Sequence, residues 1–515
     1  MRAFSSRRAF ALCASLLSLG LLPATAAATS SQSQIDTAIE KAIAYTLPQQ
    51  EAATGAIPGF GGDWMATALV AAGVDLAEVR GPAPGDPSLR DFVFGEYTLP
   101  TWDDDPPGGT AAEYARSTLI SHAAGLDPAR LSATSNQPAQ LAGRWNPATG
   151  SYGEANSNTT AFAIMAMKTA GLPRWALSPT VAFLRHNQHD DGGWTHPAAL
   201  TAGAREEPSE EDMTGAAVAA LCEAGVPAYD TDVAEALAFL RGRMVNATGG
   251  VEYLWGPPNA SVNAWVVNGL NACGIGSQSP AWTTTAGKTP IDFLLSLQVP
   301  AGPEAGGFGY AGPTGPEIYS TQDALRAIAG GVFTAEPQSV VPVPAVAAGT
   351  PVPHLLAIEL APGNVRICKV TAAAGASLTA LLGVAETASR PAGCVTSLEV
   401  SGGEVRTING FAPEGGGEAW LARLDQGTAA VAAGQPVGFG ELVSLRIGQR
   451  PLAGSGPVGP QGQTGIPGPT GKAGKRGPKG KPGRISGKGC KPRARKSGKR
   501  RGHCKAKHRG KRPGR

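Results

Sequence analysis

The sequence predicts a mainly α-helical protein, an α/α(6) toroid of six helical hairpins, followed by a small β-rich domain and a basic C-terminal tail. Three observations lead to this fold class. A two-helix pattern recurs six times over residues 32–330, strand-like alternation with glycine-rich turns follows over residues 354–449, and the charge changes sign near residue 472.

The net charge of +4 is the sum of two opposite parts. Residues 472–515 contain 20 Lys or Arg and no acid, whereas residues 29–471 contain 21 Lys or Arg and all 40 Asp and Glu. An acidic folded part with a basic appendage is therefore expected. The length of 515 residues excludes a single ordinary domain, and the 42 % hydrophobic content excludes a wholly disordered chain.

Residues 1–28 have the pattern of an export signal. Arg2, Arg7 and Arg8 precede the apolar run 9–22, and the small residues 24–28 supply a cleavage site. The mature protein is therefore expected to be secreted, by either the general or the twin-arginine route. No later run of about 18 apolar residues exists, so no membrane span is expected after processing.

Cysteine usage fits an oxidising compartment. Cys13 leaves with the signal, and the other six cysteines lie as neighbouring pairs in separate parts of the chain. Local pairing is the simplest expectation for a secreted protein, with free buried thiols as the alternative. The predicted disulfides are Cys222–Cys273, Cys368–Cys394 and Cys490–Cys504.

The repeat is clearest between residues 183 and 225. Phe183-Leu184 ends a first helix, Gln188 and Gly192-Gly193-Trp194 follow, and the small-residue helix 214–221 runs toward Gly225. Such an alanine-rich second helix suits an inner ring, and the more polar first helix suits an outer ring. Closure of the ring would remove the need for capping repeats. The other copies cover residues 43–73, 92–125, 150–171, 239–274 and 293–330.

The run from Phe183 to Trp194 resembles the QW motif of the terpenoid cyclase and protein prenyltransferase superfamily. The resemblance covers residues 32–330 and implies an α/α toroid. It also implies a mainly structural role for Gln188 and Trp194, which tie one hairpin to the next.

The catalytic motifs of that superfamily have no good match. Polyene cyclases use an Asp-x-Asp-Asp acid, and the nearest candidates are Asp103, Asp104 and Asp105, which precede two prolines as in a solvated loop. The zinc-binding Asp-x-Cys pair and the thioester element are absent, and the cluster His186, His189 and His196 favours a solvated helix end over a metal site. A non-catalytic protein is expected, with a divergent cyclase or prenyltransferase-like enzyme as the alternative.

Aromatic residues in the loops of the repeats form the candidate binding site. These loops lie at one end of a toroid, where aromatic side chains suit a large, flat or apolar ligand or a protein surface. The alternative is that they cover helix ends. The candidate residues of the ring are Trp64, Trp102, Trp194, Trp255 and Tyr310.

A Pro/Val-rich linker, residues 339–353, leads to the β-rich domain, residues 354–449. A short helix at 377–382 followed by strands around Asn409 and Trp420 resembles the C-terminal domain of transcobalamin and intrinsic factor. In those cobalamin carriers the corrinoid lies between toroid and β domain. The resemblance therefore implies cobalamin as a ligand, held near Asn409 and Trp420.

Glycine occupies every third position from Gly456 to Gly483, which predicts collagen-like repeats over residues 456–485 and a homotrimer. The basic tail, residues 486–515, should be disordered alone and bind acidic cell-envelope polymers. The sequence as a whole predicts a secreted or surface-attached binding protein. A structural or adhesive surface protein is a further alternative.

Overall fold

A computed structural model describes residues 29–98, 109–415, 417–425 and 433–449. Several sequence predictions lie outside these residues: the export signal, the collagen-like repeats, the basic tail and the Cys490–Cys504 pair. Trp102 and the candidate acids Asp103, Asp104 and Asp105 also lie outside them.

The described chain is mostly helical, with a small sheet region near its C-terminal end, which is consistent with a helical toroid plus a β domain. The helices before the sheet are α1 (Gln32–Thr46), α2 (Met65–Ala71), α3 (Leu89–Tyr97), α4 (Ala111–Ala123), α5 (Gln137–Ala142), α6 (Ser157–Thr169), α7 (Arg174–His186), α8 (Ala202–Arg205), α9 (Glu211–Glu223), α10 (Thr231–Gly242), α11 (Ala260–Ala272), α12 (Pro290–Ser296) and α13 (Ile318–Ile328).

Six of these helices contact one another in a closed cycle: α2, α4, α6, α9, α11, α13 and back to α2. They are the alanine-rich second helices of the sequence repeats, and small side chains let their backbones approach closely. The first helices pack outside them. Helix α5 contacts α4, α7 contacts α6, α10 contacts α9 and α12 contacts α11, while α1 contacts α13. Helix α1, the first of the chain, therefore packs on α13, the last helix of the cycle.

The second helices begin in two different ways. Asn156 and Asn259 cap α6 and α11 by accepting hydrogen bonds from backbone N–H groups, as the sequence predicts. Helices α9 and α13 follow glutamates without a side-chain cap. In these two helices a threonine hydroxyl accepts a backbone hydrogen bond instead. Thr214 accepts from the Trp194 N–H at 3.0 Å, and Thr321 accepts from the Phe308 N–H at 3.0 Å.

Glutamine side chains join successive hairpins. The Gln188 amide donates to the Gly192 carbonyl at 2.7 Å and to the Asp232 carbonyl in the next hairpin at 2.8 Å. This contact is the structural role that the QW resemblance implies. In the first copy, Gln50 rather than its neighbour Gln49 makes the equivalent pair of bonds, to Gly55 and Val79.

A glutamine side chain also joins the last hairpin to the first. The Gln298 amide donates to the Gly306 carbonyl at 3.0 Å and to the Ala38 carbonyl of α1 at 2.8 Å. Gly306 has φ +99°, and a Cβ there would lie 2.2 Å from the Lys41 carbonyl oxygen. Only glycine allows both this backbone conformation and this close approach.

Two of the predicted disulfides are present. Cys222–Cys273 joins the C-terminal ends of the neighbouring helices α9 and α11. Cys368–Cys394 lies within the β domain. Trp194 is fully buried, and its indole N–H donates to the Leu184 carbonyl at 2.8 Å.

The β domain has a four-stranded sheet with strand order β2-β1-β6-β5 and a separate hairpin of β3 and β4. Strands β1 and β6 are parallel. The first strand begins inside the predicted linker, and the helix predicted at 377–382 is confirmed. The elements are β1 (Pro351–Ala361), β2 (Asn364–Ala373), α14 (Leu378–Ala388), β3 (Leu398–Ser401), β4 (Glu404–Ile408), β5 (Glu418–Leu424) and β6 (Val443–Gln449).

Strands β1 and β2 pack against the outer helices α5 and α7 of the ring. The Asn136 amide donates to the Pro353 carbonyl at 2.9 Å, and Lys369 donates to the Gln140 side chain at 2.6 Å. Arg130 contacts Asp425 at 2.6 Å and the Phe439 carbonyl at 2.7 Å. These contacts place the β domain against the side of the ring. None of the described helices is long and apolar enough to cross a membrane.

We predict that Gly306→Ala destabilises the protein more than Gly302→Ala does. Both glycines have a positive φ, +99° and +96°, so both substitutions carry a backbone strain of about 1–3 kcal/mol. A Cβ at Gly302 meets nothing within 4 Å, whereas one at Gly306 meets the Lys41 backbone. Urea unfolding followed by circular dichroism should show an additional loss of about 1–3 kcal/mol for Gly306→Ala. Equal losses would show that the closing contact contributes nothing.

Candidate ligand-binding chamber

A layer of side chains at equivalent repeat positions lines a chamber inside the ring. Five of them lie six residues after the N-cap residue of their helix, on α4, α6, α9, α11 and α13. The sixth, Trp64, lies nine residues before Gly73, the glycine that follows α2. Four of the other five residues lie at the same distance before the glycine that ends their own hairpin. In ring order the layer is Trp64, Arg116, Phe162, Ala216, Trp265 and Asp323, and all six border the chamber.

The chamber has a volume of about 310 Å3. Ala216 is the one small side chain of the layer, so space remains beside α9 where the other helices carry larger groups. Further lining residues on the first turns of the helices include Asn158, Asp212, Met213 and Tyr319. Phe60 stands at the mouth, 82 % exposed, with its ring centroid 5.3 Å from that of Tyr319.

Phe333 forms the floor of the chamber. This residue follows α13, and only 2 % of its surface is exposed. Its ring stacks on Trp265 at 4.7 Å with an interplanar angle of 20°. Its edge contacts with Trp64 at 5.2 Å and Phe162 at 5.6 Å complete a four-ring cluster. The floor is therefore apolar and held by rings from three different helical hairpins.

Arg116 is neutralised by Asp63. Its guanidinium forms an ion pair with Asp63, and Tyr97 donates a hydrogen bond to the other Asp63 oxygen at 2.6 Å. Burial lowers the pKa of Arg116, but the bond and charge of Asp63 outweigh burial and raise it. The guanidinium carbon also lies 5.7 Å from the Trp64 ring centroid.

Arg326 and Asp323 form a buried ion pair in the chamber wall. Their contact is 2.7 Å, and Arg326 also donates to Thr67 and Gln322 at 2.9 Å. Burial raises the pKa of Asp323, and the charge of Arg326 opposes that shift. The Arg326 guanidinium carbon lies 3.8 Å from the centroid of Phe333, so the cation also packs on the floor.

Asp212 borders the same chamber without an ion pair. One carboxylate oxygen accepts a hydrogen bond from the adjacent Met213 N–H at 2.9 Å. Burial, together with the nearby charge of Glu210, raises the pKa of Asp212, although backbone hydrogen bonds and His196 oppose the shift. Among the described residues, no Lys or Arg forms an ion pair with it.

The residues that the sequence singled out in the ring are dispersed. Trp64 lies in the chamber wall, but Trp194 is buried in the helical core and its only polar atom is bonded. Trp255 and Tyr310 are exposed, by 71 % and 43 %, and neither lines the chamber. Of the predicted aromatic residues of the ring that the structure describes, only Trp64 lines the chamber.

Asn409 and Trp420 lie away from the chamber, in the β domain. Asn409 has φ +54°, and its side chain bonds the backbone of Cys394, Thr396 and Ser397, which fixes a turn. Trp420 belongs to the core of the β domain and is 9 % exposed. No lining residue of the chamber comes from this domain.

The histidine cluster is not arranged around a metal. His189 bonds the Glu207 carbonyl at 2.7 Å and Thr195 at 3.2 Å, and His196 contacts Asn156 at 3.2 Å. In the part of the chain that the structure describes, no group of three or more His, Cys, Asp or Glu side chains could hold a metal ion.

Most residues of the chamber were not predicted, because the candidate aromatic residues were placed in the loops of the repeats, whereas most lining residues lie on helices. Phe162 and Trp265 are the only aromatic residues of helices α6 and α11, and a closely packed helix tolerates such a ring only where it faces a space. Counting six residues from the capping position would have found them. The floor residue Phe333 has no such signal, since it follows the last repeat.

No protein-family model and no curated protein sequence matches the chain. Solved structures with a similar fold include the type II terpene cyclase MstE from Scytonema, which is 15 % identical, with 58 % of this chain and 98 % of the cyclase covered and a TM-score of 0.42. The ent-copalyl diphosphate synthase from Streptomyces platensis is 16 % identical, over 52 % and 49 % of the chains, with a TM-score of 0.34. Haptocorrin in complex with Cbi is 9 % identical, over 82 % and 99 %, with a TM-score of 0.30. Such distant likenesses carry no argument about ligand or reaction.

We predict that Asp212→Asn stabilises the protein at neutral pH. Burial raises the pKa of Asp212, so its ionised form opposes folding above that pKa, and this cost disappears as the pH falls toward the ordinary value of 3.8. Thermal unfolding at pH 7 and at about pH 4 should show a gain that shrinks in acid.

The matched control is Asp91→Asn, which should behave in the opposite way. Hydrogen bonds from Ser88 outweigh burial and lower the pKa of Asp91. Its ionised form therefore stabilises the fold at neutral pH, and that stabilisation is lost as the pH falls through the folded pKa. A gain at pH 7 that persists unchanged at about pH 4 would contradict the role assigned to Asp212.

Proposed function

We propose that this protein is a secreted, non-catalytic binding protein whose α/α toroid of six hairpins holds a small, largely apolar ligand in the chamber. One observation carries the proposal. Six side chains at equivalent repeat positions, five on second helices and Trp64 directly before α2, line one chamber, and four aromatic rings close it on one side.

The dimensions and chemistry of the chamber support this function. Ligand sites are concave, mostly apolar and about 300–1,000 Å3 in volume, with a few placed polar groups. The chamber is near the lower end of that range at about 310 Å3, so it suits a compact ligand. Its walls belong to helices tied to one another by ring contacts and the Cys222–Cys273 disulfide, so the site needs little ordering when a ligand binds.

Secretion is part of the proposal. Two disulfides support an oxidising compartment, and the leader-like first 28 residues support export. The collagen-like triplets and the basic tail would attach the protein, as a homotrimer, to acidic polymers of the cell envelope.

Cobalamin is a specific ligand to test, because an α/α toroid followed by this β domain resembles the cobalamin carriers. A corrin macrocycle is too large for a chamber of about 310 Å3, so it would bind outside it, between the ring and the β domain, as that resemblance implies. Visible absorbance that comigrates with the protein, survives Ala216→Phe and is lost in Trp420→Ala would support the corrinoid version. Loss of colour on gel filtration would exclude it.

A terpene cyclase or prenyltransferase-like enzyme is the second candidate, favoured by Asp212. A carboxyl whose pKa is raised by burial, beside aromatic walls, is the kind of acid that starts a polyene cyclisation. Product from squalene or geranylgeranyl diphosphate that is lost in Asp212→Asn would favour an enzyme. Product lost only in Asp104→Asn would assign the acid to the predicted loop.

A substitution that fills the chamber tests whether the ligand binds there. We predict that Ala216→Phe weakens binding of 4-phenylbutan-1-ol at least about tenfold, because the new ring occupies the space beside α9. Binding is measured by quenching of tryptophan fluorescence, since Trp64 and Trp265 line the chamber.

Ala238→Phe is the control, because Ala238 is exposed on the outer helix α10. This variant should bind the alcohol as the parent does, and circular dichroism should show that both variants are folded. Unchanged binding in folded Ala216→Phe would place the ligand elsewhere and overturn the proposal.

A further inference from the structure

The charges around the chamber do not cancel. Arg116 is paired with Asp63, and Arg326 is paired with Asp323. Among the described residues, Asp212 remains as the one lining carboxylate without an ion pair to Lys or Arg. The chamber therefore has an excess negative charge on the α9 side, next to the space that Ala216 leaves.

The second lining carboxyl, Asp323, adds no unpaired charge. It is 1 % exposed, burial raises its pKa, and both Arg326 and the Ser261 hydroxyl oppose that shift. The unpartnered Nε atoms of Arg116 and Arg326 do not compete for an anion, because each guanidinium is already neutralised and packs on an aromatic ring.

Aromatic rings line the same chamber as the unpaired carboxylate. Phe60, Trp64, Phe162, Trp265, Tyr319 and Phe333 all line the chamber. Ring faces attract organic cations, and a cage of rings with a carboxylate recognises ammonium groups.

We propose that the ligand is an amphiphilic organic ammonium, with its cationic group beside Asp212 and its apolar body against the aromatic walls. This inference rests on the proposed function, because it specifies the class of ligand that the chamber binds. Asp212 would set specificity, and the rings would supply most of the buried apolar area.

Three probes with one apolar body and different head groups test the inference: 4-phenylbutan-1-amine, 4-phenylbutan-1-ol and 4-phenylbutanoate. At pH 7 they are cationic, neutral and anionic. We expect the parent protein to bind the amine about tenfold more tightly than the alcohol, and the anion most weakly, in calorimetric titrations.

Asp212→Asn should remove the preference for the amine, because it weakens amine binding about tenfold more than alcohol binding. Asp36→Asn is the control, because it removes the same charge from an exposed position on α1. That control should keep the tenfold preference, which would show that the effect is local to the chamber. Circular dichroism confirms that both variants are folded.

The outcomes separate the inference from the function on which it rests. Equal binding of amine and alcohol to the parent, tightest binding of the anion, or a preference that survives Asp212→Asn would overturn the ammonium inference and leave a chamber that binds apolar ligands. Failure of all three probes to bind, or equal binding in Ala216→Phe, would overturn the proposed function and the inference together.

Discussion

The contact between the last hairpin and the first is the constraint on which the rest of the ring depends. Gln298 donates to the backbone of α1, and Gly306 lets the Lys41 backbone approach. An open row of hairpins would leave apolar surfaces exposed at both ends. Closure removes both ends, and it also encloses a central space. The chamber is therefore a consequence of the same contact that completes the core.

One repeat register serves both packing and the lining of the chamber. Glycines that let the next helix approach closely recur at five described junctions, and glutamines bridge three of them. Six residues after the N-cap residue of five inner helices, by contrast, the side chain changes from hairpin to hairpin, for example from Arg116 to Ala216 to Asp323. The glycine contacts recur, whereas the position that faces the chamber varies. Chemistry can differ there without disturbing the fold.

The sequence predicted the helical repeats, two disulfides and the order of helix and strands in the β domain, because these follow from local periodicity and composition. The site was predicted poorly. Trp194 and Trp255 are equally conspicuous in the sequence, yet one is buried in the core and the other is exposed, since their surroundings come from residues distant along the chain. Trp64 was predicted, but Phe162 and Asp212 were not, because the candidate site was predicted in the loops of the repeats, whereas these two residues lie on helices α6 and α9.

The segment after α13 connects the chamber to the β domain. Phe333 fills the floor, Ser339 accepts a hydrogen bond from Arg90 and donates one to Asp75, and the Val341 N–H donates to the Gly125 carbonyl before β1 begins. A chain fixed at three places over so short a distance cannot shift at one end without strain at the others. The floor of the chamber and the attachment of the β domain are therefore parts of one continuous structure. This coupling explains why an aromatic residue outside the repeats completes a site that the repeats otherwise build.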